Sequence, residues 1–324
     1  LVSWIHIEQH NEKVASGSFK NYNEALRCYS RFDKTICVSR TVKEDFQSIF
    51  DLKNPVEVLY NTNESNFIVK KANDKIVDIT FDKDVYNLVS VAKIVPSKGY
   101  DRLMKIHKKL LDDGIKNHVY ILGIGEEQEK YEKYLRDNHL EDTFTFLGFR
   151  DNPYKYVKNA DLYVCSSRRE GFSTAVTEAL IVGTPVVSTN CSGAYELLGD
   201  NNEYGVVTEN DEDALYEGIK KILTEENLLQ HYKEQAKVRG QRFSTEKTVK
   251  AVEDMWVVVM SKYIKVIGNY LKISFKKLFK KVNFSGSKVQ SFSKFTELNL
   301  AKNSNVCFGR NIQSDGFCRI ITTA

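Results

Sequence analysis

No run of about eighteen apolar residues occurs in the 324-residue chain, so no segment is expected to cross a membrane as a helix. Cysteine pairs at CxxC spacing are also missing, and the six cysteines at 28, 37, 165, 191, 307 and 318 follow no metal-ligand pattern. Cys165 and Cys191 sit beside strand-like runs as small core residues, so the chain reads as reduced and intracellular, with no metal expected. A strong charge of either sign is lacking: 47 basic against 43 acidic residues leave a formal +4, too mild to argue for nucleic acid. An initiator methionine is absent as well. The chain begins at Leu1 inside a strand-like run, Leu1-Val2-Ser3-Trp4-Ile5, and stops at Ala324 within another regular pattern. The expectation is a fragment cut at both ends, with no signal peptide in view.

What is present is alternation. From Asn87 onward, short β-branched runs at Leu88–Ala92, Val119–Leu122, Phe144–Leu147, Leu162–Cys165, Val186–Ser188 and Val206–Val207 read as strands. Between them lie helical patterns at Tyr100–Asp112, Gln128–Asn138, Tyr154–Lys158, Ser173–Val182, Ala194–Leu198 and Glu212–Leu223. Strands apolar on both faces, alternating with helices, predict a doubly wound α/β fold with a parallel sheet. Residues 1–63 give a partial α/β pattern, too short for a second complete sheet, and 64–86, rich in Asn, Asp and Lys, read as the connection between domains. The sheet domain then spans 87–243.

After Phe243 the character changes. Thr245–Tyr263 predicts a long helix, and Lys262 to Lys288 holds eight lysines and no acid, interleaved with Ile264, Ile267, Leu271, Phe275, Leu278 and Phe279. The segment 244–288 therefore reads either as a basic amphipathic surface for anionic membrane or as a solvated or docked linker. In 289–324, Leu300, Val306, Ile312 and Cys318 recur every six residues, as in the start of a hexapeptide-repeat β-helix.

The most informative stretch runs from Ser167 to Thr184. A strand enters a polar loop that carries Glu170, and a helix follows with Glu178 about two turns along it. Gly171 permits a tight turn, and Ser173 or Thr174 can cap the helix. Free amides and the positive dipole end at such a helix start suit a phosphate, while carboxylates on either side suit sugar hydroxyls. The residues point to a nucleotide-sugar site, against the plainer reading of an ordinary crossover loop with two surface carboxylates. Gly123-Ile124-Gly125 fails as a dinucleotide fingerprint, because Gln128 stands where the third glycine would be.

Seven separated segments then occur in a telling order: Val91-Ala92-Lys93-Ile94 with Lys98-Gly99, Leu122-Gly123-Ile124-Gly125-Glu126, Phe146-Leu147-Gly148, Asn159-Ala160-Asp161-Leu162, Ser167, the Glu170/Glu178 pair, and Gly183-Thr184-Pro185-Val186-Val187. In this, residues 87–225 resemble the C-terminal domain of the retaining GT-B glycosyltransferases of family 4. The wording from Phe149 to Tyr156 resembles the bacterial branch that builds surface polysaccharides. Residues 1–63 resemble the back half of that family's N-terminal domain, through Trp4-Ile5-His6 and Val38-Ser39.

The resemblance implies a Rossmann-like C-terminal domain, a partial N-terminal one, and transfer of a hexosyl unit with retention. It implies that Lys98 holds the donor diphosphate together with Lys93, which stands where the family more often has arginine and loses bidentate geometry. It assigns Glu170 to the donor sugar and Glu178 to the ribose, with the backbones of Gly171, Phe172 and Ser173 near the diphosphate. Gly123 and Gly125 would make a close-approach turn, Phe149 and Arg150 would frame the base, and His6, or less well His10, would face the sugar. No cofactor is implied beyond the sugar nucleotide, a UDP-sugar in preference to a GDP-sugar. The implied acceptor is a lipid-linked or polysaccharide glycan at the cytoplasmic face of a membrane. The rival readings are a nicotinamide or flavin oxidoreductase, a non-catalytic sugar-nucleotide-binding fragment, and a protein with a fused acyltransferase module. A fragment lacking the opening strands is expected to bind donor without transferring sugar, and to expose an aggregation-prone edge at Leu1–Ile7.

Overall fold

Short β-branched runs give two parallel sheets. The computed structural model describes residues 1–270 and three short strands beyond them. The first sheet has β1 (Val2–Ile5), β2 (Lys34–Cys37) and β3 (Val56–Val58), in that order and all parallel. Its crossovers contain α1 (Glu12–Ala15), α2 (Tyr22–Tyr29) and α3 (Arg40–Ile49). Ser39 caps α3, accepting a hydrogen bond from the Val42 amide at 3.0 Å. A further helix, α4 (Ser65–Ala72), follows and packs on two helices of the second sheet.

The second sheet comprises β4 (Tyr86–Val91), β5 (Asn117–Leu122), β6 (Phe144–Gly148), β7 (Leu162–Cys165), β8 (Val186–Thr189) and β9 (Val206–Thr208). Their spatial order is β6-β5-β4-β7-β8-β9, all parallel. That is the doubly wound order, in which the direction of winding reverses between β4 and β7. The intervening helices are α5 (Tyr100–Asp112), α6 (Gln128–Asp137), α7 (Tyr154–Asn159), α8 (Thr174–Val182), α9 (Ala194–Leu198), α10 (Glu212–Thr224) and α11 (Leu228–Gly240), with α12 (Thr245–Tyr270) after them. The expected elements are all present here, with ends displaced by a few residues at most except for α12, which runs on past Tyr263. The composition did not announce α4 or α11.

Alternate strand residues feed two cores, as the period of a strand requires. Leu88, Val119, Ile121, Leu162, Val164 and Val187 pack under α5, α6 and α10. Val89, Tyr120, Leu122, Tyr163, Cys165 and Val186 face the other way, into a core that continues through Val176, Ala179 and Leu180 of α8 to Ile5 and Cys37 of the first sheet and Phe46 of α3. Residues Val2–Asp254 thus form one compact unit.

In the remaining unit, β10 (Leu298–Ala301), β11 (Ser304–Val306) and β12 (Thr322–Thr323) pair antiparallel. Of the six-residue period, Leu300 and Val306 fall in these strands, whereas Ile312 and Cys318 lie outside the described residues, as do 271–288 of the lysine-rich stretch. Among the described residues no helix is long and apolar enough to cross a membrane.

The loop after β5 is pressed onto the loop after β4. At Gly123, with φ of +149°, a Cβ would lie 1.9 Å from the Ala92 carbonyl oxygen, whereas Gly114, at φ +79°, has open space around it. Gly114→Ala should cost about 1 kcal/mol from backbone strain alone, and Gly123→Ala about 3 kcal/mol or more from strain plus overpacking. Urea denaturation of the two variants measures the difference; equal costs would mean that the two loops are not in contact.

Candidate active site

The winding reversal leaves a crevice at the carboxyl ends of β4 and β7, and the loops leaving these strands fill its rim. Between them lies a cavity of about 320 Å³ whose lining includes Lys93, Lys98, Ser167, Glu170, Phe172 and Ser173. Lys98 ends a short 3-10 turn, Pro96–Lys98. Its Nζ lies 2.6 Å from Glu170 Oε1, and the Ser167 hydroxyl donates to the same oxygen at 2.6 Å. The pair is largely shielded, with 22% and 14% of the two side chains exposed. At this burial a charge-assisted bond is stronger than at an open surface.

A buried arginine fixes the loop geometry. Arg102, on the first turn of α5, donates from Nε and Nη2 to the Ser166 carbonyl at 2.9 and 2.6 Å, and from Nη2 to the Ser167 carbonyl at 2.8 Å. The same Nη2 reaches Asn210 Oδ1 at 2.8 Å. Ser166 Oγ in turn donates to the Lys98 carbonyl at 2.8 Å, and Thr189 Oγ1 to the Ser167 carbonyl at 2.5 Å. Outside this knot, Arg168 grips Asp101 through two 2.7 Å bonds, which hold the Asp101 carboxyl below its usual pKa.

The helix start behaves as its sequence predicts. Ser173 caps α8 by accepting from the Val176 amide at 3.3 Å, and Thr174 and Ala175 join the cavity lining. The positive end of the α8 dipole thus meets the cavity that holds Lys93 and Lys98. Glu178, one turn further along, is half-buried beside Tyr154 and outside the lining. Burial pushes its carboxyl up to about 7, opposed by a hydrogen bond with the Tyr154 phenol, while burial and Glu178 push that phenol up to about 12.

The first sheet reaches the same loop. A Cβ on Gly171 would lie 2.2 Å from the His6 carbonyl oxygen, so the end of β1 rests directly on the Glu170 loop. The His6 imidazole is exposed and stacks on Trp4 with centroids 6.4 Å apart; partial burial lowers its pKa. His10 instead meets Glu8 at 3.0 Å and Asp45 at 3.3 Å. Gly125 packs on the Ile94 carbonyl, next to Lys93. Phe149 is 66% exposed, and the Arg150 guanidinium is taken by Asp78 at 3.0 Å; neither lines the cavity.

Of the residues expected from the sequence, the structure brings Lys93, Lys98, Glu170, Phe172 and Ser173 into one cavity and sets Gly171 against His6. Arg102, Thr189 and the hydroxyl of Ser167 were not anticipated as supports. Their partners are mostly backbone carbonyls tens of residues away, for which the sequence carries no signal.

The doubly wound sheet thus gathers an amide-rich helix start, two lysines and a carboxylate at its switch point, a set of groups chemically suited to an anion that carries hydroxyls. The model of the family described as glycosyl transferases group 1 matches residues 72–239, more than half of the chain, and the chain belongs to that family. It is 32% identical over 222 residues to the Campylobacter jejuni N-acetylgalactosamine-N,N'-diacetylbacillosaminyl-diphospho-undecaprenol 4-alpha-N-acetylgalactosaminyltransferase, covering 68% of this chain and 58% of that one. To the Bacillus subtilis poly(glycerol-phosphate) alpha-glucosyltransferase it is 24% identical, over 89% of this chain and 41% of the relative. The chain therefore spans roughly half the length of these curated relatives. Among solved structures, Anabaena HepE in complex with UDP superposes with a TM-score of 0.67 at 19% identity, over 80% of this chain and 72% of HepE. Staphylococcus aureus TarM superposes at 0.60 with 20% identity, over 78% and 50%. These likenesses establish the GT-B fold expected from the sequence.

Because the folded state raises the Glu178 pKa from 4.5 to about 7, the folded protein binds this proton more tightly than the unfolded chain does. Stability from this group is therefore full below about 4.5 and is lost as pH rises to 7. Glu178→Gln, which cannot ionise, should melt higher than wild type at pH 8 and show a shallower fall in Tm between pH 5 and 7.5. Circular dichroism melts across that range test this; parallel Tm curves for the two proteins would refute it.

Proposed function

We propose that this chain carries the donor half of a retaining hexosyltransferase that takes a sugar from a uridine diphosphate sugar and passes it to a surface-polysaccharide or lipid-linked glycan. The observation that carries the reading is the Lys98–Glu170–Ser167 cluster at the amino end of α8. Lysines and helix amides gather where a diphosphate needs neutralising, and an acceptor-only carboxylate waits beside them for sugar hydroxyls.

In this reading Lys98, with Lys93 and the first amides of α8, stabilises the diphosphate as it departs, an electrostatic effect worth several kcal/mol. Glu170, held by Lys98 and Ser167, accepts from the donor sugar. Glu178 accepts from the ribose diol. Gly171, Phe172 and Ser173 bring the chain close to the diphosphate and sugar, and Gly123 and Gly125 let the neighbouring loop approach. His6, whose carbonyl lies against Gly171, stands on the acceptor side, and retention, which the family resemblance implies, has the acceptor hydroxyl attack from the side the diphosphate leaves. Phe149 and Arg150 stand beyond the cavity as candidates for the base. UDP as the nucleotude is supported by the UDP complexes of HepE and TarM, and a lipid-linked or polymeric acceptor by the names of the Campylobacter and Bacillus relatives. The lysines between 262 and 288 support attachment at an anionic membrane face, where such acceptors reside.

Calorimetric titration with UDP-glucose and with UDP tests the assignments. Glu178→Ala should weaken both ligands about tenfold or more, because a lost hydrogen bond to a charged group costs roughly 1.5–3 kcal/mol. Glu170→Ala should weaken UDP-glucose by a similar factor and leave UDP nearly unchanged. Unaltered affinities in both variants would overturn the site. Sedimentation with phosphatidylserine vesicles should show binding that falls with salt; equal pelleting with neutral and anionic vesicles, or none with either, would favour a docked linker instead.

A further inference from the structure

Away from the donor cavity, the segment leaving β1 brings three groups together that share no sequence spacing. Glu8 and His10 lie just past β1, and Asp45 lies midway along α3. His10 Nε2 is 3.0 Å from Glu8 Oε2, and Nδ1 is 3.3 Å from Asp45 Oδ2. One imidazole nitrogen and one oxygen from each carboxylate all fall within 4.8 Å of one another. The Glu8 side chain is 11% exposed and that of Asp45 28%, so two carboxylates approach each other in a partly shielded place.

One of these atoms makes the arrangement unusual. Asp45 Oδ2 is buried and accepts no hydrogen bond, its contact with the imidazole having ion-pair distance without hydrogen-bond geometry. Buried acceptors left unpaired are costly, and a cation satisfies them.

We propose that Glu8, His10 and Asp45 form a binding site for a divalent transition-metal cation of the zinc class, separate from the donor cavity. The two contacts use opposite ring nitrogens, of which one ion takes a single one; the three ligand atoms lie within 4.8 Å of one another, and an ion would draw them in to the roughly 3.3 Å spacing of ligands about 2.0–2.2 Å from a tetrahedral centre. One imidazole with two carboxylates suits zinc and its neighbours, whereas magnesium and calcium favour all-oxygen shells. Two carboxylates and a neutral imidazole carry a charge of −2, which the ion cancels. His10 is 45% exposed, which leaves the remaining coordination position to water. The ion ties the segment after β1 to α3, and His6, at the start of that segment, rests on Gly171. The metal thus positions the acceptor side of the cleft. This inference is independent of which sugar nucleotide the cavity takes.

The test is isothermal titration of zinc chloride into chelator-stripped protein, kept reduced with a phosphine, followed by thermal melts. Wild type should bind one zinc saturably at this site and melt higher with zinc than without. Asp45→Asn and Glu8→Gln should each weaken zinc tenfold or more, and His10→Ala should abolish the site and the zinc-dependent rise in Tm. Magnesium at the same concentration should leave the melt unchanged. If His10→Ala does not fold, the near-isosteric Glu8→Gln and Asp45→Asn carry the test. Zinc affinity and stoichiometry unchanged in these variants would overturn the proposal. So would a wild-type chain that takes up no zinc while His10→Ala still loses stability, since the three residues would then be a metal-free ion-pair clasp.

Discussion

Arg102 is a fully charged side chain in a nearly closed place, 4% exposed, and nearly every donor it has is spent on the backbone of one loop or on Asn210. Removing it would leave the carbonyls of Ser166 and Ser167 short of donors in a region with little water. A rigid fork is what this position needs, because three nitrogens must meet three backbone carbonyls and an amide oxygen at once. From that knot the rest of the site follows. Ser166 is held so that its hydroxyl can anchor the Lys98 turn, Ser167 so that its hydroxyl can reach Glu170, and Glu170 so that it meets Lys98. The cavity is therefore preformed by contacts that involve none of its proposed ligands.

A second constraint comes from the shared core. The layer beneath β7 and β8 is continuous with the core of the first sheet, and Phe172 stacks on Tyr60 with centroids 4.9 Å apart. Glu196 on α9, 4% exposed, accepts from the Arg40 amide and the Tyr60 hydroxyl. The loop that carries Glu170 is thus bounded by Arg102 on one side and by residues of the first sheet on the other. In the GT-B arrangement the two sheets are the two walls of a cleft, and here the walls meet at the loop proposed to hold the sugar.

Much of this was legible in the sequence. Leu162–Cys165, Tyr100–Asp112 and Ala194–Leu198 begin and end where their patterns said, because strands covered on both faces are nearly continuous in apolarity and their helices are amphipathic. α4 is short, lacks a side-chain cap and is built around Phe67-Ile68-Val69, residues of modest helix propensity, and its docking on α7 and α8 supplies what its sequence does not. The cap by Ser173 was readable from local chemistry alone. Arg102 was not, because a buried arginine announces itself only through carbonyls about 64 residues distant. Glu8, His10 and Asp45 were equally silent, since the crossover from β1 to β2 and α3 is what closes their separation.

The Lys98–Glu170 pair also bears on selectivity. Before any ligand arrives, the lysine already has an anion at 2.6 Å, and the cavity is no open trap for negative charge. Inorganic phosphate or a stray carboxylate drawing Lys98 toward itself would strip Glu170 of its strongest partner and leave it only the Ser167 hydroxyl. A molecule that brings hydroxyls along with its phosphates can supply Glu170 with new donors while it takes the lysine. On the proposed reading, the built-in ion pair therefore favours ligands that combine both chemistries over anions that bring no hydroxyl donors.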